Sequence, residues 1–401
     1  MIEQVKKYIS TNIGRIPFLF ALMYAMKVLG FAPDFMEVIG YGLLIVAAIY
    51  ILSHGVKLDG LLIVLLLFIP LTIVLANPNP VFRPWMRYGL FFLLLIVVSP
   101  LIKSAFAKRF RLKIMGGTLL LCVLIASLSF LGFFLGINYM RNQYDGSELD
   151  YITNTAGTFG GLTYQSMLLG PLSGIGVVTC TYYALTRIQY KRHFIVLSIM
   201  CTGAMLFAAS RSALIATICG EMALFYFFST NKSVFAKRIV GILILGAITY
   251  PIWNRAFDGI TAKNVGSFEQ GINTDSRSVK WAIRLKEFSE SPIWGIGFAA
   301  VSDRDDYREE TGVIEPGSSW LAVLSMTGIV GFIIFFAIYI RACRRALLSY
   351  TPQGALLGGV LVLVGVHMIA EGHIFSGGSY LCFLVWLAIG VCTDYNSQKK
   401  Y

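Results

Sequence analysis

Arg211 stands in "FAASRSALIA" (207–216), between two hydrophobic runs and with no acidic residue near it in sequence. A permanent cation in so apolar a setting faces a bundle interior, a cavity or a partner anion, unless its long stem carries the charge out to an interface. Two more arginines have a suggestive spacing. In "TDSRSVKWAIRLKEFSESPIWGIG" (274–297), Asp275 or Ser276 can cap a helix that runs to about Phe288 and is stopped by Ser291-Pro292. Arg277, Lys280 or Trp281, and Arg284 then share one face, because positions three, four and seven apart line up on a helix. Arg277 also falls in the first turn, where free N–H groups and the helix dipole favour an anion. The combination suits a phosphate, although an amphipathic helix of this kind also meets lipid headgroups. Arginines with no dedicated acidic partners would be explained together by one ligand, a lipid pyrophosphate. For proton transfer the candidates are Glu371 and His373 in "EGHIFSGG" (371–378), followed by a Gly pair that can bring backbone close to a substrate. The same two groups would also serve as an interfacial anchor or a helix-end hydrogen bond. Tyr164 and Gln165 could line an acceptor groove, with core packing as the other reading of Tyr164.

These residues are embedded in a chain built for a bilayer. Of 401 residues, 57% are hydrophobic and 13% charged, far from soluble averages. Apolar runs long enough to cross a hydrocarbon core recur near 16–31, 37–53, 60–76, 86–102, 114–137, 162–186, 194–209, 212–228, 239–254, 317–340, 354–372 and 378–393. The expected fold is therefore an all-α polytopic membrane protein with about twelve transmembrane helices. Residues 1–254 hold helices 1–9. Residues 255–316 form a large extracytoplasmic loop with the amphipathic helix, and 317–401 hold helices 10–12 and a short cytoplasmic tail. Seven cysteines lie in or beside the runs without metal-ligand spacing and read as small core residues. No His cluster suggests a metal, and no cofactor is expected.

Loop charge sets the orientation, since short cytoplasmic loops retain Lys and Arg. With the N-terminus inside, the even-numbered connections and the two termini carry twenty basic residues, while the short odd-numbered connections hold only Arg83, Arg87, Arg141 and Arg211. Both termini are thus expected to be cytoplasmic. The net charge of +12 is mostly this topology signal and not a nucleic-acid footprint. Two outward segments exceed a turn: 138–161, and the loop from about 255 to 316, which has eight basic and eleven acidic side chains and forms a folded cap. Chemistry should face outward.

The order of "SRSAL" (210–214), "SRSVKWAIRLKEFSESPIWGIGF" (276–298) and "SSWLAVLSMTGIVGF" (318–332) resembles the O-antigen polymerase and ligase superfamily. There a Ser-Arg pair precedes a helix, an Arg-containing helix runs into a Pro-x-x-Gly-x-Gly turn, and a His-Asn-x-x-Leu…Gly-x-x-Gly segment enters the next span. The resemblance covers about 207 to 335. It implies a metal-independent, GT-C-like membrane glycosyltransferase acting on polyprenyl-pyrophosphate-linked glycans at the outer face of the bacterial inner membrane. Both donor and acceptor are then lipid-bilayer substrates, and a chain-length regulator and a flippase are the expected protein partners. Carried over, the pyrophosphate-binding arginines are Arg211 and Arg277, with Arg284 as a third. This chain departs from the ligase pattern at Gly317-Ser318, where ligases have His-Asn. That favours a polymerase, and "GGLTYQSMLLGP" (160–171) and "EGHIFSGGS" (371–379) look like polymerase segments.

Two alternatives remain open. A ligase would pass the glycan to lipid A core. A flippase would also bind a pyrophosphate lipid, but it would be expected to place charges at midplane along a pathway, often with repeats in its two halves. Here Lys27 and Glu221 are the intramembrane exceptions. The topology predicts that a thiol introduced near Ser267 is labelled from outside the cell. Labelling only from the cytoplasm would reverse the orientation of the proposed site.

Overall fold

The computed structural model describes residues 14–33, 35–76, 83–140, 159–229, 232–238, 240–241, 276–301 and 317–395. Within them the chain forms α1 (Arg15–Met26), α2 (Phe35–Leu52), α3 (Gly60–Val74), α4 (Pro84–Val98), α5 (Ala105–Phe134), α6 (Ser166–Thr186), α7 (Lys191–Phe207) and α8 (Arg211–Phe228). Then follow the amphipathic α9 (Ser276–Glu290), α10 (Ser319–Leu347), α11 (Pro352–Ala370) and α12 (Tyr380–Asp394). Eleven of the twelve expected apolar segments coincide with helices. The ninth, 239–254, lies outside the described residues apart from 240 and 241, as does the expected cap apart from 276–301. Six helices, α2, α5, α6, α8, α10 and α11, are long and apolar enough to cross a membrane, while α1, α3, α4 and α12 are apolar but shorter. Large apolar side chains such as Val46, Leu67, Leu128, Ile215 and Ile333 remain exposed on them, as helices surrounded by lipid require.

The chain divides into two compact units, Met1–Met36 with Gly116–Thr274 and Ala346–His367, and Glu37–Met115 with Asp275–Arg345 and Met368–Tyr401. In the first unit small residues let helices approach closely, the usual route to helix association where lipid removes the hydrophobic drive. A Cβ on Gly170 of α6 would lie 2.9 Å from the Cβ atoms of Ser210 and Ala213, and a Cβ on Gly220 of α8 would lie 2.9 Å from the Gly359 carbonyl. Cys122, Cys180 and Cys201 are buried free thiols in this packing.

In the second unit one end is fastened by ion pairs. Asp59 caps α3 by accepting from the Leu62 N–H, and it meets Lys103 at 2.7 Å and Arg341 at 2.9 Å. Burial alone would raise the Asp59 carboxyl, but hydrogen bonds from Arg341, Lys103 and the Leu62 amide outweigh it and hold the group below its ordinary value. Arg111, fully buried, donates to Asp394 and to the Ile102 carbonyl, and Arg345 donates to the Thr393 carbonyl. Every cation named here comes from a connection expected on the cytoplasmic side, so loops assigned to one face by charge do share one end of the unit.

The other distinctive feature is a break in α10. Gly328 leaves the helical region, with φ 62° and ψ −170°. A broken helix in an apolar setting exposes carbonyl and N–H groups that must find partners. The turn after α9 supplies them: Ile296 and Gly297 donate to the Ser325 and Met326 carbonyls, and Ile329 donates to the Pro292 carbonyl. The Phe298 N–H goes to the Thr72 hydroxyl of α3. Only glycine fits this approach, since Gly295 has φ +76° and a Cβ there would overlap the backbone at Met326–Thr327, while Gly297 has φ +114° against Ala76 and Thr72. The Pro-x-x-Gly-x-Gly and Gly-x-x-Gly motifs are thus two halves of one backbone interlock.

Gly295→Ala should therefore cost about 2 kcal/mol or more, because both conformation and space are wrong for it. Gly42→Ala, in α2 with nothing within 4 Å of its added Cβ, should be neutral or slightly stabilising. Thermal midpoints in detergent check the contrast; equal midpoints would mean the interlock does not hold the unit together.

Candidate active site

The interlock fixes the end of α9, and the start of that helix carries the expected chemistry. Arg277, Lys280, Trp281, Arg284, Glu287 and Phe288 lie on its protected face, while Ser278, Val279, Ala282, Leu285 and Lys286 are exposed. The Trp281 indole donates to the Gly317 carbonyl at 3.2 Å. Gly317, at φ +69°, sits so close to Lys280 that a Cβ would lie 2.8 Å from the Lys280 Cβ. At the top of this face the Arg277 Nη2 donates to Glu371 Oε1 at 2.5 Å. The Arg277 side chain is 37% exposed and that of Glu371 9%.

Ser319, fully buried at the first turn of α10, holds the segment after α11 in place. Its N–H and its hydroxyl both donate to the Glu371 carbonyl, at 2.9 and 2.7 Å, and its Oγ accepts from the His373 N–H at 3.0 Å. Glu371, Gly372 and His373 are thereby pinned to the helix that follows α9. Burial holds the His373 imidazole down to about 3, which favours its neutral form. A neutral imidazole can accept a proton, but it would contribute no limb to a rate profile near neutral pH. His373 and Ser376 line a small cavity of about 30 Å³ together with Arg87 of α4, Phe298, Ala322 and Met326. That is room for a water or two.

The structure thus brings Arg277, Glu371 and His373 together in one unit. Two expectations change. Arg277 and Arg284 do have acidic partners. Arg284 is 1% exposed and its Nη1 lies 2.7 Å from Oε2 of Glu287, itself fully buried. Its guanidinium thus meets a carboxylate one turn along the same helix. Glu287 three residues after Arg284 was visible in the sequence as a helix neighbour, but its burial was not. Ser319, Gly317 and Trp281 had only weak signals, a hydroxyl pair before an apolar run and an aromatic on the Arg face. Arg87 reads in the sequence as loop charge alone.

Arg211, Tyr164 and Gln165 belong to the other unit. Arg211 is the first residue of α8, capped by Ser210, whose hydroxyl accepts from the Ala213 N–H, and preceded by Ala209 at φ 50°. It is exposed, and among the described residues no hydrogen bond or ion pair engages it. Gln165 precedes α6 with its carbonyl accepting from Leu168 and Leu169, and the half-buried Tyr164 donates its N–H to Val28. Because Gly170 meets Ser210, the Gln165 end of α6 and the Arg211 end of α8 share one end of their unit.

Arg284→Ala should destabilise by about 3–5 kcal/mol, since it removes the cation that the buried Glu287 carboxylate meets at 2.7 Å. Replacing both, Arg284→Met with Glu287→Leu, should recover most of that stability and leave affinity for a polyprenyl pyrophosphate unchanged. Thermal midpoints and farnesyl pyrophosphate binding check this, and weakened binding in the stable double variant would place Arg284 among the ligand-binding residues.

The family model described as O-antigen ligase matches residues 194–336, which take in α8, α9, the interlocked turn and the first half of α10. A search of curated proteins finds no match to the chain. The matched stretch contains each of the three motifs in order, including Arg211, Arg277 and the Gly328 break. Over this stretch, about a third of its length, the chain is similar to the O-antigen ligase family, in line with the resemblance its motifs carry.

Proposed function

We propose that the protein polymerises polyprenyl-pyrophosphate-linked oligosaccharide repeat units into a surface polysaccharide at the outer face of the bacterial inner membrane. The observation that carries this reading is the contact of Arg277 with Glu371, one residue suited to a phosphate and one suited to a proton, beside His373. Cleaving a glycosyl pyrophosphate builds negative charge on the leaving group, and preorganised cations away from bulk water stabilise such charge most effectively. Arg277 is the cation on the unit that also holds the acceptor chemistry; Arg211 is the second candidate. The acceptor hydroxyl attacks the anomeric carbon, the C–O bond to the pyrophosphate breaks with its electron pair leaving on the phosphate oxygen, and the hydroxyl proton passes to Glu371. His373, neutral and adjacent, is the other base candidate.

Gly317-Ser318 in place of His-Asn favours polymerase, whereas the family description favours ligase. Purified protein given a lipid-pyrophosphate repeat unit alone should produce a ladder of products. A single transfer that requires lipid A core would instead establish a ligase. Arg277→Lys should lose activity substantially, because an ammonium keeps the charge but not the fork that grips two phosphate oxygens. Arg277→Ala should lose more. Near-normal turnover by folded Arg277→Ala would remove that residue from the site.

A further inference from the structure

Arg277 and Glu371 cannot perform their two roles while they hold each other. The guanidinium that is to grip the leaving pyrophosphate is bound to the carboxylate that is to take the acceptor proton. We propose that this pair is a latch opened by the donor: the pyrophosphate takes Arg277 away from Glu371, and only then is the carboxylate free to act on the acceptor. The inference rests on Arg277 as a pyrophosphate ligand.

The geometry favours this exchange. One nitrogen of the guanidinium contacts one carboxylate oxygen, and among the described residues that is the side chain's single hydrogen bond. An arginine presents five N–H donors, so most of its fork is open to a second anion. The two partners differ in freedom as well. Glu371 is buried and its backbone is tied twice to Ser319. Arg277, at the first turn of α9 on a flexible stem, is more than a third exposed. An arriving anion therefore meets the open edge of Arg277 first, and Arg277 is the group that moves. A pyrophosphate offers more charge than a carboxylate and matches the fork through two oxygens, so it outcompetes Glu371. Losing its cation while gaining a neighbouring anion makes the carboxylate a stronger base. Proton acceptance is thus coupled to a filled donor site, which would suppress unproductive deprotonation when no donor is present.

A latch taxes donor affinity by the fraction of protein in which it is closed. The full-length protein in detergent is titrated with farnesyl pyrophosphate, a soluble polyprenyl pyrophosphate without sugar, in a calorimeter. Glu371→Gln should bind it about three- to tenfold more tightly than wild type, as expected for releasing a half-exposed ion pair. Arg277→Ala should bind more weakly, and adding Glu371→Gln in that background should bring no gain. Equal affinity of wild type and Glu371→Gln overturns the latch, as does a gain that persists without Arg277, which would be plain charge repulsion. Unchanged affinity of Arg277→Ala would overturn the ligand role itself. Should Glu371→Gln fold poorly, Glu371→Asp, with its carboxylate drawn back by one carbon, should also bind more tightly; no gain there counts against the latch.

Discussion

A helix broken inside apolar surroundings is tolerable only if another segment takes up its freed backbone groups, and the second unit is organised around one such repair. At Gly328 α10 stops being helical, and the 292–297 turn enters the gap with three backbone hydrogen bonds. Because the repair needs backbone at close range, it selects glycine at 295, 297 and 328, and the motif spacing follows. With the end of α9 fixed there, its preceding four turns run back beside Gly317 and Ser319, and Arg277 arrives at Glu371. A surface helix has become a rigid arm for one cation.

The two ends of this unit treat charge differently. At one end Asp59 binds two cations and caps a helix, and Arg111 is fully buried against Asp394. Both carboxylates are buried or nearly so and held by cations of their own unit, and removing Arg111 would leave Asp394 without its buried arginine. At the other end Arg277 makes a single hydrogen bond among the described residues and its side chain is 37% exposed. Buried pairs of this kind serve the fold. A pair between a partly exposed cation and a buried carboxylate is suited to exchange.

Much of this was legible in the sequence because hydropathy, which selects membrane helices, is a local property. Eleven apolar segments and the amphipathic α9 follow from it directly, and loop charge, equally local, anticipates the grouping of Lys103, Arg341 and Arg345 at one end. Lengths were less legible: α5 begins at Ala105 and not near 114, since Ala, Lys, Arg and Leu continue a helix beyond the apolar run. Pairing was illegible. Arg277 and Glu371 are 94 residues apart, and nothing in either neighbourhood names the other. Likewise a glycine in an apolar helix marks close packing as readily as a break, so Gly328 announces the break only once the turn is seen inserted there.

The most direct test is an experimental map of the full-length protein with a polyprenyl pyrophosphate bound. The account predicts phosphate density within hydrogen-bonding reach of the Arg277 guanidinium, the Glu371 carboxylate released from it, and α10 still broken at Gly328 around the 292–297 turn. Phosphate density elsewhere, with Arg277 still seated on Glu371, would contradict it.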